Sequence, residues 1–210
     1  MESKEMELCR WLCMTGLLGV VFYLLHDVVG AMYYPGYNWM AQAVSDLTAT
    51  DAPSYAVAKG LSTAYGVASC VCCLCVCVLS RNGGKPLKIG IYLFTVMNLV
   101  SALGYALFPL SSAGYDGSVQ SFIHVYVVTT AVVLLSIVSL VLVAVGAFRG
   151  QKRLLGILAI AALICMFVGA VGSANVPQAY FGVVERFSTY SAVVFTAVLG
   201  VYAYRDELTE

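Results

Sequence analysis

Long apolar runs separated by short polar segments dominate the chain. Six of these runs reach the length of about 20 residues that a helix needs to cross the hydrocarbon core of a bilayer. They cover residues 11–32, 55–79, 87–109, 122–148, 154–173 and 183–204. Charged or helix-breaking residues separate consecutive runs. Because unpaired backbone groups are costly in lipid, the pattern predicts an all-α bundle of six transmembrane helices.

The composition supports a polytopic membrane protein. Of the 210 residues, 61% are hydrophobic and only 10% are charged, whereas soluble domains carry about 25% charged residues. This deficit excludes a water-soluble enzyme and a disordered chain. Eleven basic residues balance eleven acidic ones, so no net charge attracts a nucleic acid. Without a repeat or a soluble segment, the chain is predicted to form one transmembrane domain over residues 1–210.

The basic residues predict the orientation of the bundle. If the six spans alternate in direction, nine of the eleven Lys and Arg residues fall on the side that carries both termini. Lys59 and Arg186 lie near the other side. By the positive-inside rule, we expect a multi-pass protein of the cell membrane with cytoplasmic N- and C-termini. The opposite side is called the outer side in this subsection.

The first outer connection, residues 33–54, is the longest. Its apolar residues Trp39, Val44 and Leu47 recur at helical spacing, while Gln42 and Asp46 fall on the other face. This spacing predicts a short amphipathic helix in the outer interface. Such a helix either seats the ends of the spans or forms a lid over the bundle.

Ionisable residues outside the basic side gather near the outer ends of the spans. They are His26, Asp27, Asp46, Asp51, Lys59, Asp116, His124, Glu185 and Arg186. Ionisable groups at membrane depth are costly and usually line a cavity or a pathway. We therefore expect a polar pocket that opens to the outer side.

Two kinds of role are predicted for these residues. Asp46, His124 and Glu185 are the candidate catalytic residues, with His124 as a general base that activates Ser45 or a water. The candidate ligand-binding residues are Ser45, Lys59, Asp116 and Arg186, and the two cations among them suit a phosphate or carboxylate group.

A structural network is the alternative interpretation of the same residues. Because Glu185 and Arg186 are about 100° apart on a helix, one of them would face the pocket. The other would then pair with Lys59, Asp46 or Asp116. Such pairs would hold the second, fourth and sixth spans together.

Cofactor chemistry is only weakly indicated. Imidazole and carboxylate groups would suit a divalent metal, but the spacing of His124, Asp46, Asp116 and Glu185 matches no known metal signature. Haem ligation by His26 and His124 is disfavoured, and no cofactor is predicted. Five of the eight cysteines lie between Cys70 and Cys77 and would point to nearly all faces of a helix, which favours a packing role.

Several short motifs, in their order and spacing, resemble one known family. They are Tyr34-Pro35-Gly36-Tyr37, Val44-Ser45-Asp46-Leu47, Phe108-Pro109, His124 at the start of the fourth span, and Gly182-Val183-Val184-Glu185-Arg186. Together they resemble the prokaryotic membrane family catalogued as domain of unknown function 998, over essentially the whole chain. The resemblance implies no activity. It singles out Ser45, Asp46, His124 and Arg186.

Three functions are compatible with these patterns. The first is binding of a lipid or a small anionic ligand in the outer pocket. The second is intramembrane hydrolysis or group transfer on a lipid by Asp46, His124 and Glu185. A small transporter is the third, although no polar pathway continues to the basic side. Membrane lipids are the expected partners, and small residues such as Gly156, Gly169 and Gly172 permit close contacts within one chain or in a homo-oligomer.

Overall fold

The computed structural model describes residues 3–208, and this part of the chain is helical without strands. The α-helices are α1 (Ser3–Cys13), α2 (Thr15–Met32), α3 (Tyr55–Leu79), α4 (Lys85–Leu107), α5 (Val119–Phe122), α6 (Thr129–Arg149), α7 (Arg153–Gly172) and α8 (Phe181–Tyr204). Val44–Thr48 and Gln178–Tyr180 form 3-10 turns, and Ile123–Val128 is a π-helical segment.

Within the described residues, six helical segments are long and apolar enough to cross a membrane, which confirms the predicted fold class. They are Lys4–Met32, Tyr55–Leu79, Lys85–Leu107, Val119–Arg149, Arg153–Gly172 and Gln178–Tyr204. The first begins earlier than the apolar run because the charged N-terminal segment is also helical. This span is interrupted at Met14, where the Thr15 hydroxyl donates to Leu12 O and lies within hydrogen-bond distance of Ala68 O.

Two groups of connections mark the two ends of the bundle. The termini and the connections 80–84 and 150–152 share one end, called here the terminal side, where Arg10 pairs with Asp206 at 2.6 Å. The connections 33–54, 108–118 and 173–180 share the other, called here the long-loop side. There Thr50 N donates to Leu110 O at 2.9 Å. Which side faces the cytoplasm stays a prediction from the basic residues.

Small residues set the closest helix contacts. A Cβ atom at Gly90 would lie 2.7 Å from the backbone nitrogen of Val143, and one at Gly146 would meet the backbone of Leu87. Helices α4 and α6 therefore pack backbone to backbone, which only small residues permit. All cysteines of the described residues are free thiols, and Cys72 Sγ donates to Cys13 O at 3.1 Å in the core between α1 and α3.

The first long connection does not form the predicted amphipathic helix. Its regular structure is the five-residue turn Val44–Thr48, and Trp39 is 45% exposed while Asp46 is buried. The reason lies in the carbonyl groups of residues 39–42. An α-helix would use them in internal hydrogen bonds, whereas here all four accept donors from the start of the sixth span.

Those four hydrogen bonds dock the connection onto the sixth span. Trp39 O and Gln42 O accept from Arg186 Nη1 at 2.9 and 3.1 Å. Met40 O accepts from the Val183 backbone nitrogen at 3.2 Å, and Ala41 O accepts from the side-chain Nε2 of Gln178 at 2.9 Å. Residues 39–42, called here the docked segment, thus follow the helix end closely.

Candidate functional site

A buried ion pair between α2 and α8 lies beneath the docked segment. Arg186 Nε donates to Asp27 Oδ2 at 2.8 Å and Nη2 donates to Asp27 Oδ1 at 2.7 Å. Both residues are at most 3% exposed. The two parallel bonds form the bidentate geometry that makes arginine–carboxylate pairs strong.

The guanidinium of Arg186 has no donor left over for a ligand. Besides the bonds to Asp27, Nη1 contacts Trp39 O, Gln42 O and Gly182 O, and Nη2 donates to the Tyr37 hydroxyl at 2.8 Å. Five N–H groups are all that an arginine offers. The Trp39 ring covers the guanidinium at 4.3 Å from its centroid, so the charge is also shielded from one face.

The carboxylate of Asp27 is equally well satisfied. Its Oδ2 accepts from the Tyr190 hydroxyl at 2.7 Å and from Trp39 Nε1 at 3.2 Å, in addition to Arg186. Asp27, Tyr37, Trp39, Arg186 and Tyr190 are called here the ion-pair cluster. Every member contributes a hydrogen bond or a ring contact, as a desolvated charge pair requires.

The sequence left open which of Glu185 and Arg186 would pair, and the pairing predicted for that residue is wrong for Arg186. It pairs with Asp27 rather than with Lys59, Asp46 or Asp116. Its neighbour Glu185 is half-buried beside Val44. The Glu185 carboxylate accepts a long 3.5 Å bond from the Val44 backbone nitrogen and has no ion pair within residues 3–208.

Asp46 lies two residues after Val44, whose backbone nitrogen contacts the Glu185 carboxylate. Glu185 lies within electrostatic range of Asp46, Asp27 and Arg186. Asp46 is buried, and its Oδ1 accepts from the Gly114 backbone nitrogen at 2.9 Å. Burial raises the pKa of Asp46 above its ordinary 3.8, although the bond from Gly114 opposes that shift.

Ser45, Lys59 and Asp116 make no side-chain contact with the ion-pair cluster. Ser45 lies half-buried beside Asp46 in the 3-10 turn, and only its carbonyl is bonded, by Thr48. Lys59 is half-buried on α3, and its ammonium forms no ion pair within the described range 3–208. Asp116 is exposed and its carboxylate accepts from the backbone nitrogen of Ser118 at 2.9 Å, which lowers its pKa to about 2.

The pKa shifts of Asp46 and Asp116 predict opposite effects of pH on stability. The raised pKa of Asp46 means that the folded state holds its proton more tightly than the unfolded state. Wild type should therefore lose stability relative to Asp46→Asn as pH rises from 3.8 through the folded-state pKa. For Asp116, wild type should lose stability relative to Asp116→Asn as pH falls from 3.8 to about 2.

Unfolding free energies of the three proteins, measured in one detergent over an acid-to-neutral pH series, give both differences. Asparagine can still accept the bonds from Gly114 and Ser118 through its amide oxygen, so each variant removes mainly the charge. If the difference in unfolding free energy between wild type and Asp46→Asn does not change with pH, folding does not raise the pKa of the Asp46 carboxyl.

His124 lies in the π-helical segment at the start of the fourth span. Its Nδ1 is 2.7 Å from Phe108 O, and because a carbonyl only accepts, Nδ1 must carry the proton. Nε2 is then an acceptor, without a hydrogen-bond partner among residues 3–208. The ring contacts Tyr105 at a centroid distance of 4.6 Å, and the His124 carbonyl accepts from the Thr129 hydroxyl at 2.9 Å. π-Helical turns are often found at functional sites.

His26 is the least satisfied polar side chain near this site. It is 3% exposed, and neither ring nitrogen has a hydrogen-bond partner in the described part of the chain. Its ring contacts Tyr23 edge to face at 5.6 Å. Across residues 3–208, no three His, Cys, Asp or Glu side chains gather in a way that could hold a metal ion.

An apolar groove of about 470 Å³ runs between α7 and α8 and reaches the ion-pair cluster. Helix α7 supplies Leu158, Ala161, Ala162 and Cys165, and α8 supplies side chains from Val183 to Val198. Val194, which lines the groove, is 48% exposed. Trp39, Arg186 and Tyr190 line it near the long-loop side.

Comparison with known families shows which family the chain belongs to. Residues 17–202 match the model of a family described as "Protein of unknown function (DUF998)". The chain belongs to this family. The match confirms the resemblance inferred from the sequence motifs. No curated protein and no solved structure matches the chain.

The ion-pair cluster of this DUF998 protein includes residues that sequence reasoning left out of the site. Asp27, Tyr37, Trp39 and Tyr190 were not candidate site residues. A signal for Asp27 exists, because a carboxylate inside a predicted span needs a nearby cation. No sequence signal identifies Arg186 as that cation rather than Lys59.

Proposed function

We propose that this DUF998 membrane protein binds a membrane lipid, with one acyl chain lying in the groove between α7 and α8. The observation that carries the proposal is the groove itself, which combines an apolar wall, a lateral opening to the bilayer and a polar end. Its volume of about 470 Å³ lies within the range of about 300–1,000 Å³ typical of ligand sites.

The length of the groove suits a chain from one leaflet. With a helical rise of about 1.5 Å per residue, Val183 and Val198 are about 22 Å apart along α8. One leaflet contributes about half of a hydrocarbon core that is about 30 Å thick. An acyl chain that entered from the long-loop side would therefore find apolar wall along its whole length.

The polar end of the groove favours recognition of the chain over recognition of the head group. All donors of Arg186 are engaged, and Asp27 neutralises its charge. An anionic head group at this end would gain neither hydrogen bonds nor a net field from that residue. The lipid selected here is thus defined by its chain, while the Trp39 indole covers the end near the interface.

Filling the groove should remove the bound lipid. Val194→Trp places a large ring inside the groove, whereas Val96→Trp introduces the same ring at a similarly exposed position on α4, where Val96 is 44% exposed. Lipid retained by the purified protein, measured by native mass spectrometry, should fall about tenfold in Val194→Trp, a loss of about 1.4 kcal/mol in binding. Val96→Trp should retain lipid as wild type does.

Equal retention by both variants, or an equal loss in both, would contradict the proposal and indicate ordinary boundary lipid. The same spectra test the hydrolase hypothesis. A fatty acid or lysolipid bound to wild type, but an intact lipid bound to His124→Gln, would favour catalysis through the Nε2 acceptor of His124.

A further inference from the structure

A second cavity lies at the opposite end of the molecule, on the terminal side. It has a volume of about 370 Å³ and is lined by Lys152, Arg153, Leu154, Tyr202 and Glu207. It is formed where the connection between α6 and α7 meets the end of α8. The groove proposed to bind an acyl chain does not include any of these residues.

The charge around this cavity is mainly positive. Within the described part of the C-terminal segment both acidic side chains have cationic partners, because Asp206 pairs with Arg10 at 2.6 Å and Glu207 pairs with Arg205 at 3.3 Å. Arg153 is exposed and forms no ion pair within residues 3–208. An anion in the cavity would therefore meet a guanidinium that is not already neutralised.

The backbone fixes the position of Arg153 at the start of α7. Gln151 adopts a positive φ of 57°, and the next residue, Lys152, donates its backbone nitrogen to Ala147 O at 2.8 Å. This tight turn starts α7 at Arg153, and no side chain caps the helix. The first N–H groups of this 20-residue helix add a positive end to the same cavity.

Apolar side chains continue from the cavity towards the bilayer. Leu154 is 62% exposed and Ile157, one turn further along α7, is 56% exposed. Phe148 packs on Gly156 beside them and is 43% exposed. A ligand with both a phosphate and hydrocarbon chains fits this succession of charge and apolar surface, whereas free phosphate would use only the first part.

We propose that this cavity binds the head group of an anionic phospholipid from the leaflet on the terminal side. Arg153 donates two parallel hydrogen bonds to the phosphate oxygens, as guanidinium groups do. Leu154 and Ile157 contact the upper part of the chains. The site is independent of the groove, since it selects by head-group charge.

The experiment compares two arginines of the same side. Arg153→Gln removes the cation in the cavity, and the matched control Arg81→Gln removes an exposed arginine from the connection between α3 and α4. Native mass spectrometry measures binding of phosphatidylglycerol and of phosphatidylcholine with identical chains. Wild type should prefer phosphatidylglycerol. Its affinity should fall about fivefold in Arg153→Gln, corresponding to about 1 kcal/mol per cation near a membrane surface.

Two further samples make the result decisive. Arg153→Lys keeps the charge but not the two parallel hydrogen bonds, so its binding should lie between that of wild type and that of Arg153→Gln, which excludes a folding defect as the cause. Inorganic phosphate added to wild type should not displace phosphatidylglycerol. Equal losses in Arg153→Gln and Arg81→Gln, no preference for phosphatidylglycerol, or full displacement by phosphate would each overturn the proposal.

Discussion

Arg186→Met is expected to lower the free energy of unfolding by about 3–5 kcal/mol, the usual cost of leaving a buried charge without its partner. The Asp27 carboxylate would remain at 1% exposure without its cation, at a depth where water cannot replace the lost bonds. Trp39 O and Gln42 O would lose their donor at the same time. Unfolding in mixed micelles, followed by circular dichroism, measures the loss.

The exposed ion pair of the terminal side provides the control. Arg10 and Asp206 form a shorter contact, at 2.6 Å, but their side chains are 38% and 49% exposed. Arg10→Gln should therefore change the free energy of unfolding by at most about 1 kcal/mol. If Arg186→Met costs no more than Arg10→Gln, the ion-pair cluster does not stabilise the bundle.

A double variant separates charge from packing. Asp27→Leu combined with Arg186→Met removes both charges and should recover part of the stability that Arg186→Met loses, because no unpaired ion remains. Recovery should be incomplete, since the Trp39 carbonyl group still lacks a donor. If the double variant loses as much stability as the two single variants together, the two side chains act independently.

Gly182→Ala should release the docked segment from the sixth span. A Cβ atom at Gly182 would collide with Gln42 O and lie 2.6 Å from Trp39 O. These are backbone atoms that cannot rotate away, so the segment itself must move. Overpacking of this kind costs about 1–3 kcal/mol, which exceeds the gain of up to about 1 kcal/mol that alanine brings to a helix interior.

The matched control is Gly60→Ala on α3, where an added Cβ meets nothing within 4 Å. That variant should be neutral or more stable by up to about 1 kcal/mol. Trp39 provides a local signal when Trp11, the other tryptophan, is replaced by phenylalanine. Its fluorescence should shift to longer wavelength in Gly182→Ala only. Unchanged emission in both glycine variants would show that the segment does not depend on the missing side chain.

Part of the site was predictable because some of its properties are local. His124 and Glu185 could be placed near the long-loop ends of their spans from sequence position alone. The contacts of these residues could not be predicted. Which residues Glu185 and Arg186 contact depends on the rotation of α8, since both lie in the first two turns of that helix.

The sequence by itself determined the six spans, because the bilayer imposes a length and a composition on every crossing segment. The tertiary structure decided which charges meet. Asp27 and Arg186 are 159 residues apart, and the packing of α2 beside α8 brings them together. Tertiary contacts also decide the conformation of the docked segment. Residues 39–42 have a helical pattern, but the buried Arg186 needs carbonyl acceptors. Hydrogen bonds to Arg186 outweigh the local preference for a helix.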